Sequence, residues 1–137
     1  MTYLATLLAQ LRIDEGVREK PYRDTVGKIS IGVGRNLDDV GVFEDEIALM
    51  LKNDINRARA TAKALFKSFD RLTANRKAAL CNMAHNLGQT KLAGFKKLRA
   101  AVDAMDYAKA EQEMVDSLWA LQVGPRADRL AKLMKKG

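Results

Sequence analysis

Apolar residues recur at helical spacing at the start of the chain and again from Glu44 onward. In residues 2–14 four leucines fall on one helical face: Leu4, Leu7, Leu8 and Leu11. After Glu44 a longer face has the same period: Ile47, Met50, Leu51, Ile55, Ala58, Ala62 and Leu65. The spacing predicts a short first helix and a long amphipathic helix with acidic residues at its start.

Between these two helices the period of the pattern shortens to two residues. Ile29, Ile31 and Val33 alternate with polar and small residues, which is typical of a strand. The segment Asp24–Gly27 has the composition of a turn. Residues 21–37 are therefore predicted to form a small antiparallel sheet, which needs packing against a helix to be stable.

The remainder of the chain is predicted to be helical. The expected segments are about 73–87, 92–104, 106–121 and 126–135. Glycines near their ends are expected to stop them or to form turns: Gly88, Gly94 and Gly124.

Together these elements predict the α+β fold class, with the sheet segregated at one end. We expect a single domain over residues 1–137, in which a long helix joins a small sheet-bearing lobe to a helical lobe. The lobes are expected to be about residues 12–60, and residues 1–11 with 61–137. A cleft between two such lobes would suit an extended substrate.

Charge narrows the choice of partner. The 137 residues carry a formal net charge of +7, which favours an anionic partner such as nucleic acid, a membrane surface or an acidic polymer. Aromatic residues make up only 6% of the chain, and no basic strand is interleaved with them. A specific nucleic-acid partner is therefore not expected.

Several further classes are disfavoured by what the sequence lacks. No run of about 18 apolar residues is present and the first residues do not resemble a signal peptide, so no stable membrane anchor is expected. The single cysteine, Cys81, excludes an internal disulfide and is predicted to be reduced and buried. The single histidine, His85, has no neighbouring cluster of metal ligands, so neither a metal nor a cofactor is expected.

Two carboxylates near the first predicted turn suit the cleavage of a glycosidic bond. That reaction needs a protonated acid at the leaving oxygen and a second group that handles water or the forming cation. Glu15 is expected at the end of the first helix, Asp24 on the hairpin, and Ser30 on the returning strand near Asp24. A hydroxyl beside a carboxylate can hold one ordered water. Spacing of this kind is also common among solvated surface carboxylates.

Longer blocks of sequence resemble the T-even type of phage lysozyme, glycoside hydrolase family 24. The first blocks are Leu11–Gly16, Tyr22–Gly27 and Ile31–Gly34. The family motif is a catalytic Glu, an Asp nine positions on and a Thr six positions beyond, where this chain has Glu15, Asp24 and Ser30. The second half continues the resemblance: Ala79–Met83, Leu87–Thr90, Ala93–Phe95, Ser117, Trp119, Gln122 and Arg126–Arg129.

The resemblance implies a lysozyme-like fold and an inverting muramidase. Glu15 would donate a proton to the oxygen between N-acetylmuramic acid and N-acetylglucosamine, and Asp24 with Ser30 would hold the attacking water. Arg126 would face Glu15. The expected substrate-binding residues are Gly32, Gly34, Arg35, Asn36, Asn82, His85 and Arg126.

The chain departs from the family pattern at several positions. Ser30 replaces Thr and loses the methyl group that restricts its rotamer. Arg35 and Asn36 replace His and Leu, which puts any His-based ion pair there in doubt. Phe43 stands where Ser or Thr would cap the long helix, which removes a cap unless Phe43 packs as a hydrophobic staple. Trp119 is predicted to lie in the core.

The resemblance further implies an endolysin that is made in the host cytoplasm and acts on the periplasmic cell wall. A holin would open the inner membrane for its release, and the enzyme would work as a monomer. Three alternatives stay open: a peptidoglycan-binding module with a weakened site, a lytic transglycosylase, and a helical nucleic-acid binder. The nucleic-acid binder is supported only by the net positive charge.

Overall fold

The computed structural model describes residues 2–137. In this part of the chain there are eight α-helices, one 3₁₀ turn (Phe69–Arg71) and a three-stranded antiparallel sheet. The helices are α1 (Tyr3–Glu15), α2 (Glu44–Leu65), α3 (Ala74–Leu87), α4 (Gln89–Ala93), α5 (Lys96–Asp103), α6 (Tyr107–Val115), α7 (Leu118–Val123) and α8 (Pro125–Lys136). The strands are β1 (Arg18–Arg23), β2 (Ile29–Gly32) and β3 (Arg35–Asn36). The predicted α+β class is confirmed.

Contacts group the chain into two compact units that divide between Leu49 and Met50. The first unit holds α1, the sheet and the start of α2. The second holds the rest of α2 and all later helices, and each unit is described by itself below. The expected lobes, residues 12–60 and residues 1–11 with 61–137, stay a prediction.

Helix α1 begins and ends where the sequence predicts. The hydroxyl of Thr2 accepts a hydrogen bond from the backbone N–H of Ala5 at 3.2 Å, which caps the first turn. Gly16 follows the last residue at φ 75°, a conformation that glycine adopts without strain. The apolar face of α1, however, is not buried, since this helix contains no buried residue.

The sheet is a meander in the order β1-β2-β3. Ser30 lies at its centre, opposite Tyr22 on one side and Asn36 on the other. The predicted turn forms between β1 and β2, where the N–H of Asp24 donates to the carbonyl of Lys28 at 2.8 Å. This hairpin confirms the period-two interpretation at Ile29 and Ile31, whereas Val33 lies in the turn after β2.

The start of α2 is capped in a way that the sequence analysis missed. Phe43 has no side-chain acceptor, but the carboxylate of Glu46 accepts a hydrogen bond from the N–H of Phe43 at 2.8 Å. This is the glutamate half of a capping box, with the acid three residues into the motif. Arg35 holds the same carboxylate through two hydrogen bonds of 2.7 Å. The helix therefore keeps a cap although Ser or Thr is absent.

Only the second half of α2 is buried as its amphipathic pattern suggests. Ala58, Ala62 and Leu65 belong to the core. The apolar side chains of the first half remain about half exposed: Ile47, Met50, Leu51 and Ile55. A helical face is buried only where another element covers it, and the periodicity of the sequence does not show whether such an element is present.

The hydrophobic core lies in the second unit. Its largest fully buried side chains are Phe66, Leu80, Met83, Leu92, Leu98, Val102, Met114 and Met134. Trp119 joins it at 3% exposure and donates its indole N–H to the side-chain oxygen of Asn86 at 2.7 Å. The prediction of a core tryptophan is confirmed. Cys81 is a free thiol that lies half-buried, less deep than predicted.

Two predicted helices are each split in the structure. The segment expected at 106–121 becomes α6 and α7, because Ser117 starts a new helix: its hydroxyl accepts from the N–H of Ala120 at 3.1 Å. The segment expected at 92–104 becomes α5, with the short α4 ending at Gly94 before it. The breaks fall at a serine and a glycine, residue types that cap and stop helices.

The bond between Arg35 and Glu46 predicts a pH dependence of stability. The hydrogen bond from Arg35, together with that from the N–H of Phe43, lowers the pKa of Glu46 from its usual value of 4.5. A lowered folded-state pKa stabilises the protein above the unfolded-state pKa, and this contribution is lost as the pH falls through the folded-state pKa. Urea unfolding from pH 7 down to pH 3 should therefore show a smaller loss for Glu46→Gln than for the parent. Equal losses would contradict the assignment.

Candidate active site

Glu15 lies against the turn that joins β2 and β3. It is the last residue of α1, and its side chain crosses the backbone of Gly34 so closely that a Cβ built there would be 2.5 Å from Oε2 of Glu15. No hydrogen-bond donor in residues 2–137 contacts this carboxylate, and the side chain is exposed. Among the described residues, Glu15 is thus a carboxyl group without a hydrogen-bond partner that lies over a glycine.

Two features of the structure favour glycine at position 34. Its φ of 66° lies in the left-handed region, and an added Cβ would displace the end of the Glu15 side chain. The family resemblance implies that Gly34 binds substrate. The close approach visible in the first unit is that of Glu15 itself, and contact with a sugar stays a prediction.

Replacing Gly34 by alanine should displace Glu15 and strain the turn by about 1–2 kcal/mol, the cost of a left-handed conformation. Because small misplacements of a reacting group are costly, hydrolysis should fall by roughly 10- to 100-fold. The control is Gly88→Ala, at φ 80° with open space around it, which also places a side chain at positive φ but does not meet Glu15. Equal activities of the two variants would sink the idea that the collision matters.

Asp24 is fixed through one of its two carboxylate oxygens. Oδ1 accepts hydrogen bonds from the N–H groups of Val26 at 3.0 Å and Lys28 at 2.9 Å. Oδ2 accepts none from any residue between 2 and 137, and Asp24 is half-buried. The turn therefore orients the carboxylate and leaves one oxygen available to a water or a substrate.

Ser30 lies on the face of the sheet that the alternation also gives to Asp24. It is directly opposite Tyr22, and Asp24 follows Tyr22 by two residues, so the two side chains are diagonal neighbours. Ser30 is only 3% exposed. Its hydroxyl has no hydrogen-bond partner among residues 2–137, yet no fully buried side-chain oxygen there lacks one. The hydroxyl is therefore not completely shielded from solvent, and its closeness to Asp24 stays a prediction.

Arg35 and Asn36 are engaged within the first unit. The guanidinium of Arg35 binds Glu46, donates to the carbonyl of Gly41 at 3.2 Å and lies over the ring of Phe43 at 5.6 Å. The amide of Asn36 accepts from the N–H of Asp39 at 2.9 Å and donates to its carboxylate at 3.0 Å. Both side chains hold local structure, and their expected contacts with substrate stay predictions. Gly32, at φ 68°, has open space where a side chain would be.

The remaining predicted residues meet in the second unit. Arg126 donates from Nε at 2.9 Å and from a terminal nitrogen at 2.6 Å to the side-chain oxygen of Asn82. His85 lies one turn along α3 from Cys81 and is exposed. These three residues and Cys81 line a cavity of about 350 Å³, together with Leu51, Ile55, Ala58 and Ala78. The predicted approach of Arg126 to Glu15 stays a prediction.

Two supporting residues were not found from the sequence. Glu46 was readable, because a glutamate three residues after a helix-capping position is the signature of a capping box. Asp38, whose carboxylate accepts from the N–H of Ile29 at 2.9 Å and fixes the start of β2, has no such signature. Its role depends on the return of the chain after β3.

The described part of the chain has no group of three or more His, Cys, Asp or Glu side chains that could hold a metal ion. None of its helices is long and apolar enough to cross a membrane. Among the described residues of the first unit, Glu15 is an unpaired carboxyl group over a glycine turn, Asp24 is a carboxylate anchored by two backbone N–H groups, and Ser30 is a hydroxyl diagonal to Asp24 in the hairpin. Glycoside hydrolases use two carboxyl groups in different surroundings, one as a general acid and the other as an ionised carboxylate.

Comparison with known proteins agrees with this class. The phage lysozyme family matches residues 12–136. The chain is 26% identical to probable T4-type lysozyme 2 of Dictyostelium discoideum, over 98% of this chain and 96% of that protein. It is also 26% identical to the pre-baseplate central spike protein Gp5 of Enterobacteria phage T4, over 96% of this chain but 28% of that longer protein.

The chain belongs to the phage lysozyme family. It is therefore a lysozyme-like glycosidase that acts on peptidoglycan, and the resemblance noted in the sequence is confirmed.

Proposed function

We propose that this protein is an endolysin that hydrolyses the β-1,4 bond between N-acetylmuramic acid and N-acetylglucosamine, with inversion at the anomeric carbon. The observation that carries the proposal is the contrast between the two carboxyl groups. Glu15 has no partner among the described residues, whereas Asp24 is anchored through Oδ1 by two backbone N–H groups. Such a contrast suits one acid and one base.

In the proposed reaction Glu15 is the general acid. Its proton passes to the glycosidic oxygen as the bond from that oxygen to the anomeric carbon breaks. A water held by Asp24 and the hydroxyl of Ser30 attacks the same carbon from the opposite face and gives its proton to Asp24. The products are a new reducing end on N-acetylmuramic acid and a free hydroxyl on N-acetylglucosamine.

The further substrate-binding residues that we propose are Gly32, Gly34 and Asn36 in the first unit and Asn82, His85 and Arg126 in the second, whereas the guanidinium of Arg35 is already engaged by Glu46. The net charge of +7 supports the substrate class, because the stem peptides of peptidoglycan carry carboxylates. We further propose that the protein acts as a monomer on the periplasmic wall, after release from the host cytoplasm through the action of a holin.

Lysis of chloroform-treated Gram-negative cells tests the proposal directly. The protein should clear the suspension, and mass spectrometry of the released fragments should find reducing N-acetylmuramic acid ends. Proton NMR during the reaction should detect the inverted anomer first. An anhydro sugar would instead identify a lytic transglycosylase, which has no need of a water at Asp24 and Ser30. Binding to cell walls without clearing would leave a binding module and end the enzyme proposal.

A further inference from the structure

We propose that Arg35 and Glu46 are positioning residues for the general acid: their ion pair fixes the turn between β2 and β3 on which Glu15 rests. This inference depends on the proposed role of Glu15. It concerns the first unit alone, where the pair, the turn and the acid all lie. Neither residue needs to touch substrate for the effect.

The pair has the geometry of a strong, directional contact. Two nitrogens of Arg35 each reach one oxygen of Glu46 at 2.7 Å, the parallel arrangement that a guanidinium and a carboxylate prefer. Both side chains are about one-third exposed. A third bond from Arg35 to the carbonyl of Gly41 and the ring of Phe43 beneath it restrict the guanidinium further.

Arg35 is joined directly to the surface that Glu15 contacts. It follows Gly34 in the chain and pairs with Ile31 across the hairpin, so Ile31 and Arg35 close the turn Gly32–Gly34. A shift of Arg35 moves the backbone of Gly34. The carboxyl group of Glu15 lies over that backbone, where an added Cβ would be 2.5 Å from Oε2, so a shift of Gly34 changes the surface on which this carboxyl group rests.

The other end of the pair is attached to a rigid element. Glu46 stands in the first turn of the 22-residue helix α2 and also accepts the hydrogen bond from the N–H of Phe43. The neighbouring Asp45 adds a favourable charge for Arg35. The turn between β2 and β3 is therefore tied to a helix rather than to a loop. Reacting groups supported in this way keep a narrower range of positions.

A purely structural role for the pair predicts a different set of measurements. If Arg35 and Glu46 only cap α2, their loss lowers the melting temperature and leaves the turnover of the folded enzyme unchanged. If they position Glu15, turnover falls while the affinity for substrate is kept, since an acid acts in the transition state and not in binding. The two roles are therefore distinguished by measuring whether kcat falls while KM stays the same.

The experiment uses soluble, labelled glycan strands with Arg35→Ala, Glu46→Gln, the double variant and Arg35→Lys, all below their melting temperatures. We expect kcat to fall about tenfold in each of the first two, with KM within about twofold. The double variant should be no slower than the slower single variant, because both changes break one contact. Arg35→Lys should recover part of kcat.

The matched control is Arg76→Ala in the second unit. Arg76 donates to the carbonyls of Met134 at 2.7 Å and Lys135 at 3.0 Å at the end of α8, so its loss lowers the melting temperature without touching the turn. Its kcat should match the parent. If the Arg35 and Glu46 variants also keep the parent kcat, the positioning role is overturned although the parent remains a lysozyme. An inactive parent would instead defeat the proposed function on which the inference rests.

Discussion

Replacing Glu15 by glutamine should lower the rate of peptidoglycan hydrolysis by about 10²–10⁴-fold, the usual contribution of a positioned acid. The glutamine has nearly the same shape and still fits over Gly34, but it has no acidic proton for the leaving oxygen. No described residue donates a hydrogen bond to this carboxyl group, so the change breaks no protein contact of its own. The melting temperature should stay within a few degrees of the parent.

The neighbouring Asp14 supplies a matched control for this variant. It is an exposed carboxylate on the same helix, and the change Asp14→Asn alters the charge of the protein by the same amount. Turbidity loss of permeabilised cells should be unaffected in Asp14→Asn and nearly absent in Glu15→Gln. Clearing by Glu15→Gln at a rate close to that of the parent would remove Glu15 from the mechanism.

Replacing Asp24 by asparagine should lower the rate by about 10²-fold or more, because the base for the attacking water is lost. The substitution is informative because the two oxygens of Asp24 have separate tasks. The side-chain oxygen of asparagine can still accept from the N–H groups of Val26 and Lys28, so the turn is kept. The amide nitrogen that replaces Oδ2 cannot accept a proton.

Asp38 provides the comparison within the same sheet. Its carboxylate also accepts a backbone N–H, that of Ile29, and Asp38→Asn can keep that bond. Activity on labelled peptidoglycan should survive in Asp38→Asn and fall in Asp24→Asn, with both proteins folded by circular dichroism. Equal activities would argue that the charge of Asp24 takes no part in the reaction.

The sequence was most informative where chemistry and local geometry coincide. The turn after β1 was predicted from its residue types, and the hairpin makes Ser30 a diagonal neighbour of Asp24 because the register follows from that turn. The end of α1 at Glu15 followed from Gly16. The elements that carry the three proposed catalytic residues are set by signals short in sequence, which a pattern can represent.

Contacts between distant segments were not predictable in the same way. Nothing in the alternation around Gly34 indicates that a helix residue nineteen positions earlier will rest on it. The bond from Arg35 to Glu46 spans eleven positions and uses an arginine that the sequence assigned to substrate. The apolar face of α1 was readable, whereas its exposure in the structure was not, because periodicity identifies a face but not its neighbour.

The burial of Trp119 also has a spectroscopic consequence. It is the only tryptophan of the chain and lies in the core of the second unit, with its indole N–H bonded to Asn86. Tryptophan fluorescence therefore reports on the second unit alone. The first unit, which holds the proposed catalytic residues, contains no tryptophan. Any difference between the fluorescence and circular dichroism midpoints would report that the two units lose their structure separately.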